Sequence, residues 1–176
     1  MTYAIMYRCM NMKYMKAALA EAKKALKKGE IPIGCVIVKD DKIIARGHNL
    51  TETKHDPTAH AEMVALRKAG KVLGESLGWR RLTGCDMYVT MEPCSMCAGA
   101  LVWARIETVY IGNKDPKAGG CGSVLDITGE PRLNHHVEVV EIEDGPLKDE
   151  CKVIVQNFFK NLRDQQKLAK QKAEEE

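Results

Sequence analysis

Between Lys13 and Lys28 the apolar residues Met15, Ala18, Leu19, Ala22, Ala25 and Leu26 recur at three- and four-residue steps, and Gly29 follows. That period predicts an amphipathic helix over 13–28, closed by the glycine. The spacing then changes. The segments "IGCVIVKD" (33–40) and "DKIIARGHN" (41–49) are rich in β-branched residues and meet at Asp40-Asp41, which predicts a two-stranded hairpin. Helical spacing returns in "HDPTAHAEMVALRKAG", where Ala61, Val64, Ala65 and Ala69 share a face and Pro57 and Thr58 supply start signals. A strand near "DMYVTM", a helix from Cys94, strands near "TVYIG" and "VEVVEI", and a long C-terminal helix complete the pattern. Strands alternating with helices predict an α/β layer structure, a mixed sheet covered by helices on both faces.

Two stretches break the alternation. "NKDPKAGGCGSVLDITGEPRLNHH" (113–136) is too long for a mere connection in a compact domain and is expected to be a functional loop. The polar end "QQKLAKQKAEEE" reads as a solvated helix terminus more readily than as a specific RNA contact. At the other end, Met10 and Met12 leave room for a later start, so residues 1–12 are expected to form a flexible extension. The expected organisation is the extension 1–12, one domain over 13–165, and a polar tail over 166–176. A chain of 176 residues is long enough for one real core and too short for two comfortable domains.

A hydrophobic fraction of 45% with 29% charged residues is that of an ordinary soluble domain, and no apolar run is long enough to cross a bilayer. The first residues lack the basic start, apolar centre and cleavage site of a secretory signal, so a cytoplasmic location is expected. A net charge of +3 is too small to announce nucleic-acid binding, and any RNA contact must be local. Seven cysteines form no regular framework, which argues against disulfides and favours a metal for any close pair. Cys35 and Cys85 lie in apolar strand-like segments and read as small buried hydrophobes. Cys94 and Cys97 are the close pair.

Packing accounts for the 57–70 helix but not for His60 and Glu62. Taken alone, a histidine near a helix start and an acid in its first turn are more often structural than catalytic. The segment "TMEPCSMCAGALVWARI" changes that balance: Pro93 suits a helix start, and Cys94 and Cys97, three apart, project from one face. Two thiolates and one imidazole match zinc and leave a fourth position for water, the open arrangement of a catalytic site. Residues two apart on a regular helix lie about 200° apart, so His60 and Glu62 can serve one centre only across the helix N-terminus. Glu62 is then a proton shuttle for an activated water, not a ligand.

The complete pattern, His60-Ala61-Glu62 with Pro93-Cys94-Ser95-Met96-Cys97, is the signature of the zinc-dependent nucleobase deaminases. Beyond it, "IPIGCVIV", "HDPTAHAEMVALRKAG", "YVTMEPCSMCAGAL", "NKDPKAGGCGS", "LNH" and "NFFKNLR" resemble bacterial tRNA-specific adenosine deaminases, of the cytidine/deoxycytidylate deaminase superfamily, over nearly the whole chain. The resemblance implies a three-layer cytidine-deaminase-like fold with a five-stranded mixed sheet and one zinc per subunit. It also implies a homodimer acting on a tRNA anticodon stem-loop, where adenosine at the wobble position becomes inosine. It places His60, Cys94 and Cys97 as zinc ligands, Glu62 as the shuttle, and Asn49, Ala61, Asp115, Asn134 and Phe159 in substrate binding. Lys114, Lys117, Lys160 and Arg163 are candidates for the RNA backbone. The segment "LTETKH" before Asp56 departs from the family pattern beside the pocket.

For several of these the residues alone leave two readings. Asn49 is a turn former or a partner for a purine edge, and Asp115 is a turn before Pro116 or an acceptor for a 2′-hydroxyl. One of Phe158 and Phe159 is expected in the core, the other being free to stack on a base. A free-base deaminase acting on guanine or cytosine shares the zinc chemistry but needs no RNA surface. A noncatalytic zinc-containing tRNA-binding subunit would have no use for Glu62.

Overall fold

The computed structural model describes residues 3–73 and 81–174. Residues 1 and 2 of the expected extension and residues 175 and 176 of the tail lie outside the described residues. The elements are α1 (Tyr3–Lys27), β1 (Gly34–Lys39), β2 (Lys42–His48), α2 (Thr51–Lys54), α3 (Ala61–Leu73) and β3 (Cys85–Val89), followed by α4 (Ser95–Ala104), β4 (Thr108–Ile111), β5 (Glu138–Glu141) and α5 (Pro146–Glu174). Helix α1 starts well before residue 13. No glycine or proline interrupts it, and residues 3–10 are apolar nearly throughout, so no helical period shows before Met15.

The five strands form one mixed sheet in the order β2-β1-β3-β4-β5. β1 pairs antiparallel with β2 and β3, whereas β3–β4 and β4–β5 are parallel. The hairpin turns at Asp40 and Asp41, both with positive φ, the geometry that a tight two-residue β-turn requires.

Alternation along the central strands divides the core into two layers. Cys35 and Ile37 of β1, Met87 and Val89 of β3, and Val109 and Ile111 of β4 pack with Ala61, Ala65 and Ala69 of α3 and Leu101 and Val102 of α4. Val36, Val38, Tyr88 and Tyr110 face the other way, onto Tyr14, Met15, Ala18, Leu19 and Ala22 of α1 and Leu147 and Cys151 of α5. Burial on both faces explains why these strands read as nearly continuous apolar runs. Tyr88 and Tyr110, register partners on adjacent strands, stack with ring centroids 4.4 Å apart. Gly47 on β2 admits α3: a Cβ there would lie 2.2 Å from the Ala61 carbonyl oxygen.

Helix α5 buries Leu147, Cys151 and Val155, and from Gln156 to Ala173 every side chain except half-buried Phe158 is exposed. The expected core phenylalanine is therefore absent. The layer that α5 covers ends at Val155, and Phe158 and the more exposed Phe159 pack edge to face on each other, with centroids 5.4 Å apart. The 166–174 stretch continues α5 as a solvated helix. No described helix is long and apolar enough to cross a membrane.

Candidate active site

β2, β3 and β4 all run in one direction, so the segments leaving their C-terminal ends, at Asn49, at Thr90–Cys94 and at Gly112–Asp115, gather on one edge of the sheet. Ligand sites of open α/β sheets form at such edges. Two helices begin there. Helix α3 starts at Ala61 rather than at the Pro57-Thr58 signal. Asp56 instead accepts hydrogen bonds from the Thr58 amide (2.8 Å) and hydroxyl (2.6 Å), which ties those residues into a turn.

His60 consequently stands just before the helix, its carbonyl accepting the first helical bond from Val64 (2.9 Å). Cys94 holds the same place before α4, with extended backbone and its carbonyl accepting from Ala98 (2.8 Å). Pro93 therefore precedes the cap rather than entering the first turn. Freed from helical geometry, the His60 ring turns across the helix end. Its Nδ1 lies 3.7 Å from Cys94 Sγ and 3.7 Å from Cys97 Sγ, and all three ligand atoms lie within 4.8 Å of one another. Tetrahedral zinc with ordinary Zn–S and Zn–N bonds would set sulfur and nitrogen roughly 3.6 Å apart. The triangle fits that ion.

The proton chemistry also fits. Hydrogen bonds from Cys97 and His60 lower Cys94 to about 4. The bond to that sulfur, together with burial, drives the Cys97 thiol far up. The same Cys94 contact raises His60 against its partial burial. Two sulfurs this close repel each other when both are charged, and a dication between them removes that cost. Glu62, only 3% exposed, adjoins this cluster, and burial raises its carboxyl above the ordinary range despite a bond from its own backbone amide and the nearby His60.

The structure places the other expected residues unevenly. Asn49 is buried, and its Oδ1 accepts the Ala61 amide hydrogen at 3.0 Å, so it anchors the first residue of α3. Asp115 forms a turn, its Oδ1 accepting from the amides of Lys117 (2.9 Å) and Ala118 (3.3 Å). Lys114 and Lys117 are exposed, Lys114 lying 3.5 Å from Glu141. Asn134 is exposed, with its carbonyl held by Arg105. Phe159, Lys160 and Arg163 sit on the solvated part of α5, beyond Val155, the last residue it buries.

Among the buried carboxylates that escaped the sequence reading, Glu30 and Glu92 bear on the site. Glu30 accepts from the Thr51 hydroxyl (3.2 Å) and the amides of Glu52 (3.2 Å) and Thr53 (2.7 Å), fixing the short helix α2 between Asn49 and His60. Glu92, only 4% exposed, accepts from the amides of Asp115 (2.9 Å), Cys121 (3.0 Å) and Ser123 (3.0 Å) and from the Ser123 hydroxyl. An acid next to Pro93 before a glycine-rich loop was the available signal.

Residues 10–113 match the sequence profile of the cytidine and deoxycytidylate deaminase zinc-binding region. The chain is 48% identical over 162 residues to the tRNA-specific adenosine deaminase of Bacillus subtilis (strain 168), covering 92% of this chain and 96% of that one. It is 47% identical over 150 residues to the enzyme of the same description from Aquifex aeolicus (strain VF5), covering 85% and 94%. A structure from work on A-to-I editing by tRNA:A34 deaminases at the wobble position of transfer RNA superposes with a TM-score of 0.73 at 41% identity, covering 81% of this chain and 98% of that one. A guanine deaminase from Nitrosomonas europaea shares the fold, with a TM-score of 0.66 at 20% identity and coverage of 84% and 83%.

Proposed function

This chain belongs to the cytidine and deoxycytidylate deaminase family, and from that premise we propose that it deaminates adenosine to inosine by hydrolysis at the wobble position of a tRNA anticodon. It is a zinc-dependent deaminase with one zinc ion per subunit. The observation that carries the reading is a buried acid, Glu62, set against a three-ligand metal triangle in a chain that matches a tRNA-specific adenosine deaminase over 92% of its length.

Bound zinc supplies the Lewis acid that makes water a nucleophile near neutral pH. His60, Cys94 and Cys97 would hold it. Glu62 takes a proton from the attacking water and passes it to the purine ring as the C6–O bond forms. It then assists departure of the amine as ammonia, so that water enters and ammonia leaves. A carboxyl raised by burial suits a group that must both accept and return a proton. Asn49, its oxygen already engaged by Ala61, offers its amide nitrogen to the base edge. The exposed side chains of Lys114, Lys117, Lys160, Arg163, Asn134 and Phe159 serve backbone and stacking contacts to a single-stranded loop.

The same reading makes the protein a cytoplasmic homodimer. On α4, Met96, Gly99, Ala100 and Trp103 line one face at helical spacing, and Trp103 is 80% exposed. Small residues beside one large aromatic ring suit self-complementary packing against a second copy. A free-base activity has only the fold in its favour, and a noncatalytic role leaves Glu62 unexplained.

Sequencing of cellular tRNA with and without the gene tests the function. Adenosine-to-inosine sites, read as A-to-G, should vanish at the first anticodon position when the gene is lost. An unchanged tRNA pool would refute the reading.

A further inference from the structure

The loop that follows β4 has no regular secondary structure, yet it is fastened to the first turn of α4. Gly119 pairs with Cys94 in an isolated antiparallel bridge, and the Gly120 amide donates to the Pro93 carbonyl at 2.8 Å. The contact is close on both sides: a Cβ at Gly120 would lie 2.9 Å from the Ser95 backbone, and one at Gly119 would lie 2.4–2.5 Å from the Glu92 carboxyl atoms. Glu92 sits at the centre, donors from Asp115 at one end of the loop and Cys121 and Ser123 at the other meeting on its two oxygens. Lys114, just before the first of these ends, and Pro116, Lys117 and Ala118 between them are exposed, and the Asp115 side chain is spent on its own turn.

We propose that Glu92 is a positioning residue for the RNA: its buried carboxylate fixes the 113–123 loop against the helix that carries Cys94 and Cys97, so that Lys114 and Lys117 are in place before substrate arrives. The proposal rests on the tRNA reading above and deepens it. A carboxylate suits the task because it presents acceptors only, and every partner here is an N–H or O–H donor. A preordered loop lowers the ordering cost on association, so the effect belongs to RNA binding and not to the rate of bound substrate.

The test compares the full-length zinc enzyme with Glu92→Gln, Gly119→Ala and Ser123→Ala variants on an anticodon stem-loop RNA under single-turnover conditions. Glutamine places an NH2 group against a backbone donor, whereas alanine at 119 pushes the carboxylate aside without removing a polar group. For both, the half-saturating RNA concentration should rise about tenfold, the order expected when a buried donor loses its acceptor. The saturating rate should stay within about threefold of the parent and zinc content should be unchanged. Adding Lys114→Ala and Lys117→Ala should cost less RNA affinity in the Glu92→Gln background than in the parent, since detached lysines are no longer prepositioned. Loss of zinc, a fall in saturating rate at unchanged half-saturation, or equal lysine effects in both backgrounds would overturn the proposal. If Glu92→Gln does not fold, Gly119→Ala and Ser123→Ala carry the comparison alone. A parent enzyme inactive on the stem-loop would refute the tRNA reading instead.

Discussion

His60 and Cys94 occupy matching places on two different helices: each stands immediately before the first helical residue, each carbonyl accepts the opening helical bond, and their side chains meet at 3.7 Å. The match explains the spacing of both motifs. A residue at the cap is free of the helical rotation, so its side chain can turn over the helix end toward Glu62 in one case and Cys97 in the other. Two helix N-termini then face one centre and favour the thiolates and anions gathered there.

Removing a ligand should therefore remove metal and activity together. His60→Ala, Cys94→Ala and Cys97→Ala should each bind well under one zinc per chain, by elemental analysis of purified protein, and should lack deaminase activity. Chelation of the parent should lower its Tm. Full zinc occupancy in the cysteine variants would show that the triangle is not the metal site.

Glu62→Ala separates shuttle from ligand. It should keep the zinc and the fold while losing at least about two orders of magnitude in rate, the usual contribution of a positioned acid or base. A variant without zinc, or one turning over at the parent rate, would assign Glu62 a different role.

Asn49 carries two tasks that one substitution cannot distinguish. Asn49→Asp retains an acceptor for the Ala61 amide but loses the donor to the base, so it should keep zinc and Tm while turnover of bound RNA falls. Asn49→Ala should lose turnover and also about 1 kcal/mol of stability, as removal of a helix-start acceptor does. Thermal melts with single-turnover rates distinguish the two, and equal stability in both would deny Asn49 its anchoring role.

Much of this was legible in the sequence for a physical reason: strand alternation and helical spacing record burial, and metal ligation restricts residue type and spacing. The hairpin at Asp40-Asp41, the two-sided burial of β1, β3 and β4, and the His60, Glu62, Cys94 and Cys97 set all leave such marks. The work of Glu30 and Glu92 does not, because their partners are mostly backbone amides far along the chain, whose identity leaves no trace in side chains. The start of α1 was missed because residues 3–10 are apolar nearly throughout and carry no helical period. The core phenylalanine expected from the Phe158-Phe159 pair was misplaced because an apolar pair does not reveal where its helix outruns the core.

Glu30 offers a pH test remote from the metal ligands. Burial pushes its carboxyl up, but the bonds from Thr53, Glu52 and Thr51 outweigh burial and hold it below the ordinary range. A carboxylate whose folded pKa lies below its unfolded value stabilises the fold above the unfolded value, about 4.3 for glutamate, and that contribution disappears as pH falls through the folded value. Glu30→Gln should therefore melt below the parent near neutral pH, with the gap closing in acid. A pH-independent gap would show that the charge on Glu30 does not matter.

The exposed face of α4 predicts the assembly. Trp103→Glu should convert a dimer into a monomer in light scattering coupled to size exclusion, because a charge at the centre of a self-complementary patch meets its own copy. A parent that is already monomeric at micromolar concentration would contradict the assignment.

The most direct measurement of the central claim is ammonia release and inosine formation by the purified zinc enzyme, offered separately an anticodon stem-loop with adenosine at the wobble position, the same loop with guanosine there, and free adenine, guanine and cytosine. The account predicts rapid conversion of the adenosine loop, abolished by Glu62→Ala, with no comparable turnover of the others. Equal or faster deamination of a free base, or an adenosine loop left intact by enzyme carrying its full zinc, would contradict it.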